Sequence, residues 1–324
     1  MEFPLDRITG QNEDLLSVGA LYARDTHALC NDVAGVIFPS AKTPITDALI
    51  SAVTSKMVQL VDDVERRLQG KSQELAQHPV TWPLLTQSGF LREADLVDFI
   101  LARVAEDRLD ARLDIAKPVL PAQLLDHADG NVAEAAQILL AADSLHRRVK
   151  GNTYVALPAE LLHKLCWRVV AALEIFHGAR SSEIISSARE ILASYDESQT
   201  TKASARKIAH FIDAPNRNAL FKPDLAGLHL YVAAVSAELN IEHDHALRLI
   251  DGGSSAPFAI MLSALGMPKD QAIASILLLR GEALTPREVG VFEFGYDKLD
   301  SGTALAEIAS WSVARAQFLA FGKS

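Results

Sequence analysis

His243-Asp244-His245, with Glu242 beside it, is the densest group of potential metal ligands in the chain. On a helix two residues i and i+2 point roughly 200° apart, so both imidazoles reach one ion only from a loop or strand. Asn240 and Asp244 read as capping residues at a helix start, which makes surface histidines at a turn the plainer reading. His163 and Cys166 are spaced better, three apart on one helix face, but zinc takes four ligands and no second such pair occurs. Beside Trp167 in an apolar helix, Cys166 reads more simply as a small buried hydrophobe.

Asp251-Gly252-Gly253-Ser254-Ser255 could lead into a helix whose free N–H groups cradle a phosphate. It lacks the Gly-Lys-Ser/Thr ending of a P-loop and has no strand before it, so a turn with a serine N-cap explains it as well. Two stretches are basic. His146-Arg147-Arg148-Val149-Lys150 falls in the last turn of an expected helix, where cations complement the dipole. Lys202, Arg206, Lys207 and Arg217 could face an acidic partner or a nucleic-acid backbone, and they are the candidate partner-binding residues. Adjacent carboxylates such as Asp62-Asp63 are expected to be solvated. No Gly-x-Ser-x-Gly elbow, His-Glu-x-x-His pair or dinucleotide fingerprint occurs, so neither a catalytic residue nor a cofactor is expected.

A formal net charge of −10 argues against general nucleic-acid or anionic-membrane binding, since both recruit their ligand through a positive field. Cys30 and Cys166 form no disulfide framework, which fits a reducing compartment. The opening Met1-Glu2-Phe3-Pro4-Leu5-Asp6 has neither the basic nor the apolar segment of a signal peptide, and no unbroken run of about 18 apolar residues could span a bilayer. A cytoplasmic protein is expected. Hydrophobic residues at 49% with aromatics at only 6% imply a core of Leu, Ala, Ile and Val, a composition that favours helix.

The elements that must position these candidates are marked out by proline and glycine. Leu15 to Phe38 predicts a first helix ended by Pro39, and Thr43-Pro44 opens a second that runs to Leu68 and stops at Gly70. Together they would make a helical hairpin. Pro79-Val80 and Pro118-Val119 then repeat the same punctuation, with Leu84-Leu85 and Leu124-Leu125 following, at a spacing near the roughly 40–47 residues of HEAT-type repeats. Further helices fit Ala94 to Val104, Val132 to Val149, a start at Leu157-Pro158 ending at Gly178, Ser182 to Tyr195, Lys202 to Ile212, Leu225 to Leu239, His243 to Ile250, Pro257 to Leu265, Lys269 to Leu279 and Thr303 to Phe321. Thr285-Pro286-Arg287-Glu288 fits a capping box, and a helix there would absorb the strand-like Val289 to Phe294. Asn152-Thr153-Tyr154-Val155 is the other strand-like stretch.

The order Pro79-Val80, Pro83-Leu84-Leu85, Leu91, Asp95-Leu96-Val97 and the basic Arg103 resembles an uncharacterised bacterial family of helical, HEAT-like proteins. That family is catalogued as a domain of unknown function and is common in alphaproteobacteria. Glu65-Arg66-Arg67-Leu68 sits where its members carry an Arg-and-Leu helix end. The resemblance is clearest from Asp62 to Leu113, and it implies a fold rather than an activity.

The expected architecture is all-α: an N-terminal helical hairpin (1–70), a HEAT-like core (71–150) and a C-terminal helical region (151–324). Leu84, Leu96, Phe99 and Ile100 are expected in its core. The expected function is a non-catalytic scaffold for protein partners or signalling; a helical enzyme or small-ligand sensor with a pocket between lobes is the alternative. The helix Pro44 to Leu68 carries Ile50, Val58 and Val61 beside its main apolar stripe, more than one packing face needs, so a homodimer through it is also expected.

Overall fold

The computed structural model describes residues 15–23, 46–70, 79–113, 118–148, 157–178 and 181–321, with side chains at 146–148, 282, 287 and 312–321 left aside. Cys30, the Thr43-Pro44 helix start, the strand-like Asn152 to Val155, the boundary near 150 and the side chains of His146 to Lys150 lie outside the described residues. Among those residues every regular element is a helix. In order they are α1 (residues 15–23), α2 (Asp47–Gln69), α3 (Trp82–Gln87), α4 (Ala94–Leu113), α5 (Leu120–Gln123), α6 (Gly130–Arg148), α7 (Ala159–His177) and α8 (Ser182–Ser194). There follow α9 (Thr201–Phe211), α10 (Ala214–Leu220), α11 (Pro223–Leu239), α12 (His243–Asp251), α13 (Ala256–Ala264), α14 (Lys269–Arg280), α15 (Pro286–Gly295) and α16 (Ser301–Phe321).

The ends follow from local chemistry. Gly70, Gly89 and Gly178 take the left-handed conformation after or between helices, which costs a residue without Cβ little. The Thr46 hydroxyl accepts from Leu49 N and starts α2, three residues beyond the expected Thr43. At α15 the Thr285 hydroxyl and the Glu288 carboxylate satisfy each other's backbone donors, so the strand-like run after it is helical, as the capping box required.

Two apolar cores organise these helices, and they do not follow the units 1–70, 71–150 and 151–324. One core joins α2, α3, the first half of α4, α7 and α8. The larger one joins the second half of α4 with α5, α6 and the helices from α9 to α16. Helix α4 therefore belongs to both, with Leu96, Val97 and Ile100 on one side of the divide and Leu109 and Leu113 on the other. Leu96, Phe99 and Ile100 are buried as expected, and Leu84 is half-buried against the same core.

Of the expected N-terminal hairpin, residues 24–45 lie outside the described residues. Leu16 and Ala23 of α1 join the larger core, whereas α2 lies in the smaller one. Gly19 is pressed against Ile260 of α13 so closely that a Cβ would fall 2.1 Å from its Cδ1. Helix α2 packs against α4, α7 and α8, and on it Val61 is buried while Ile50 and Val58 are half-buried.

The echoed punctuation is real at the local level. After Pro79, α3, a 3-10 turn at Phe90–Arg92 and the long α4 succeed one another; after Pro118 come α5, a 3-10 turn at Leu124–Asp126 and the long α6. The surroundings differ, however. Helix α4 packs on α2, α11, α12 and α14, while α6 packs chiefly on α9. Glu65 fastens the first unit to α2, its carboxylate accepting from Val80 N at 3.2 Å, Thr81 N at 3.1 Å and the Thr81 hydroxyl at 2.7 Å.

Candidate functional site

Where α4 crosses α12, the interior turns ionic. Arg103, 2% exposed, donates through Nη1 to Glu106 Oε2 and through Nη2 to Asp244 Oδ1, both at 2.6 Å. Its guanidinium carbon lies 5.4 Å from the Phe99 ring centre, within cation–π range. Lys202 of α9 closes the group, donating to Asp244 Oδ2 at 3.0 Å and Glu242 Oε1 at 2.9 Å. His229 of α11 meets the other oxygen of Glu106 at 3.2 Å.

Charges in such a place need partners, because desolvation of an isolated ion costs several kcal/mol or more. Burial opposes the Arg103 charge, yet Glu106 and Asp244 overcome it and hold the guanidinium above its ordinary range. Burial likewise works against the Asp244 carboxylate, and Arg103 and Lys202 outweigh it, keeping its pKa below the usual range. His243 lacks such help. Burial pushes its pKa down to about 3, and the nearby Lys202 and Arg103 offset the pull of Asp244. Neither ring nitrogen of His243 has a hydrogen-bond partner among the described residues, so the side chain is a neutral, buried ring.

The joint continues along both helices. Arg248 pairs with Asp98 at 2.8 Å, and Asp251 pairs with Arg108 at 3.3 Å and Arg112 at 3.2 Å. Arg112 also donates to Leu279 O at 2.9 Å, at the end of α14. Arg280 donates to Ile250 O at 2.8 Å and Gly252 O at 2.6 Å, supplying a cation and donors to the C-terminal end of α12.

This placement corrects several expectations. His243 and His245 are buried residues in the first turn of α12, not surface histidines at a turn. Glu242 is the N-cap, accepting from His245 N at 3.0 Å, while Asn240 ends α11 in the left-handed conformation. Asp244 is an ion-pair partner rather than a cap. His163 and Cys166 do not converge: His163 is exposed and accepts from Trp167 Nε1 at 3.2 Å, whereas Cys166 faces the smaller core and burial raises its thiol to about 11. Among the described residues, no group of three or more His, Cys, Asp or Glu side chains is arranged to hold a metal ion.

The proposed phosphate cradle before α13 is filled by the chain's own carboxylate, because Ser255 N donates to Glu288 Oε1 at 3.0 Å. The basic patch is largely neutralised. Lys202 is in the buried group, Lys207 pairs with Glu134 at 2.6 Å and Arg217 with Glu238 at 2.7 Å. Arg206 is exposed. Asp62 and Asp63 are not simply solvated, since both pair with Arg66.

Glu106, His229, Arg248 and Asp98 were not among the expected site residues, and Asp251 was expected only in the phosphate-cradling turn. Arg103 was visible as a lone cation inside Phe99-Ile100-Leu101-Ala102-Arg103-Val104, and that interruption was the available signal. Beside the joint, Gly227 breaks the helical path of α11 with φ 74° and ψ 168°. The concavity at this kink, between Pro118, Asp143 and His229, holds about 40 Å³, room for at most a few waters. Roomier troughs of about 390–490 Å³ lie open on the surface.

The ionic residues thus converge where helices pack, not where a ligand enters. No helix among the described residues is long and apolar enough to cross a membrane. Comparison of the chain with family models, with curated proteins and with solved structures finds no match.

Proposed function

We propose that this chain is a non-catalytic helical scaffold for protein–protein interaction or signalling in the bacterial cytoplasm. The observation that carries the reading is the location of the perturbed groups. Catalytic acids and bases work where substrate can reach them, typically in a cavity of about 300–1,000 Å³. Here Arg103, Asp244, His243 and Lys202 are consumed in a packed joint, and the concavity beside it is an order of magnitude too small. The larger troughs are open and shallow, as surfaces for macromolecules are. HEAT-like kinship belongs to the same reading, supported by the two matching units after Pro79 and Pro118.

The test is affinity capture with the full chain from cells of its host, read by mass spectrometry, against a thermal-shift screen of small metabolites. A protein partner recovered reproducibly, with no metabolite raising the melting temperature, is the expected result. A metabolite that stabilises the chain in a saturable way, with no partner recovered, would overturn the reading.

A further inference from the structure

One surface trough has a chemistry that selects its occupant. It lies between the start of α6 and the junction of α9 with α10, and has a volume of about 490 Å³. Its floor is apolar: Leu120 and Leu124 come from beneath, and Phe211 stands at its wall with 46% of its surface exposed. A large aromatic side chain this open at the end of an amphipathic helix loses hydrophobic stabilisation unless something covers it.

Among the described residues, Asp126, Asp129 and Asp213 line the rim and no lysine or arginine does. His127 lies among them, its Nδ1 3.1 Å from Asp129 N and its Nε2 3.1 Å from Asp213 Oδ1. That contact and a hydrogen bond from Asn216 hold the Asp213 carboxylate below the usual range and therefore ionised. Asp126 is exposed and carries no hydrogen bond or ion pair among the described residues. The nearest cations in sequence are committed elsewhere, Lys207 to Glu134 and Arg217 to Glu238.

We propose that this trough docks a protein segment in which an apolar residue is flanked by arginine or lysine, the apolar side chain covering Phe211 and the cations meeting the rim. Arginine suits it best, because a guanidinium can stack on an aromatic face while donating to carboxylates. The proposal deepens the scaffold reading by naming the chemistry of the partner. An anionic partner, nucleic acid included, is refused by the same rim.

Fluorescence anisotropy with three labelled peptides tests it on the full chain. All three share one pattern of leucines, and the intervening positions are arginine, glutamine or glutamate. The arginine peptide should bind and the other two should not. Asp126→Lys with Asp213→Lys should weaken it at least about tenfold, and Phe211→Ala should weaken it with the charges intact. Reversing Glu183 and Glu190 on the distant α8 by the same number of lysines should leave it unchanged. If the double rim variant does not fold, Asp126→Lys alone serves, because its side chain holds nothing in place.

Failure of the arginine peptide to bind, equal binding of the glutamine peptide, equal weakening by the α8 variant, or displacement by spermidine at equal affinity would each overturn the proposal. A partner captured equally well by the rim variant sinks the trough but leaves the scaffold reading standing. A peptide that binds while no cellular protein is captured does the reverse.

Discussion

Helices α12 and α13 are neighbours of nine residues each, both enclosed by the fold, and they solve burial in opposite ways. Helix α13, Ala256-Pro-Phe-Ala-Ile-Met-Leu-Ser-Ala264, is buried at every residue and carries no charged side chain. Helix α12, His243-Asp-His-Ala-Leu-Arg-Leu-Ile-Asp251, carries two histidines and three ionised side chains into the interior, each ion matched by one from α4 or α9. Burial can therefore be satisfied by composition alone or by partners supplied from far along the chain. Stability of the first kind is local and additive. That of the second depends on Arg103 and Asp244 finding each other across 141 positions.

The comparison can be broken from either side. Phe258 is fully buried with its ring edge toward Tyr231, so Phe258→Ala should destabilise by about 3–5 kcal/mol, read by denaturant unfolding. Arg103→Met should cost a similar amount, about 3–5 kcal/mol, for a different reason: Glu106 and Asp244 remain buried without their shared cation. Neither loss should vary greatly with ionic strength, since a buried pair is poorly screened; a strong salt dependence for Arg103→Met would place that side chain at the surface.

His243 sharpens the comparison through pH. Its ordinary pKa is 6.5 and its folded value about 3, with Asp244, Lys202, Arg103 and His229 around it. Between those values the unfolded chain binds a proton that the native ring does not, so stability falls as pH falls through that window. The slope from this group is about 1.4 kcal/mol per pH unit. His243→Leu should flatten it, while leaving stability at pH 7 nearly unchanged because the ring nitrogens hold nothing. An unaltered slope in the variant would show that His243 is solvated.

The smallest effect belongs to a pair outside both cores. Lys207 and Glu134 are 2.6 Å apart but exposed, and Lys207→Ala should cost less than about 1 kcal/mol.

Helix α13 was legible in the sequence, and α12 was only half so. Pro257 and the run after it fitted a helix from Pro257 to Leu265, as Gly70, Gly178 and the Thr285 capping box announced helix ends. The span of α12 was also legible, but its burial was not, because His-Asp-His reads as solvated unless its partners are known. Those partners are residues of α4 and α9, and no local pattern ties them to position 244. Arg103 was noticed as a basic position and had no role until Asp244 and Glu106 appeared beside it. The seating of α1 against α13, with Gly19 beside Ile260, was not legible either, because an apolar helix side fits any core. The kink at Gly227 was hidden by a helical pattern on both sides; Pro118, within 3.0 Å of where a Cβ would stand, explains why glycine is there.

The scaffold reading takes the buried charges of α4 and α12 to serve one another where the two helices cross. Its most direct test is the unfolding free energy of Arg103→Met with Glu106→Leu and Asp244→Leu, set beside Arg103→Met alone. If the charges serve only one another, removing them together should restore stability to within about 1 kcal/mol of the wild type, with Lys202 still held by Glu242. A triple variant as unstable as the single one would contradict the account, because the carboxylates would then be needed for something other than their partner.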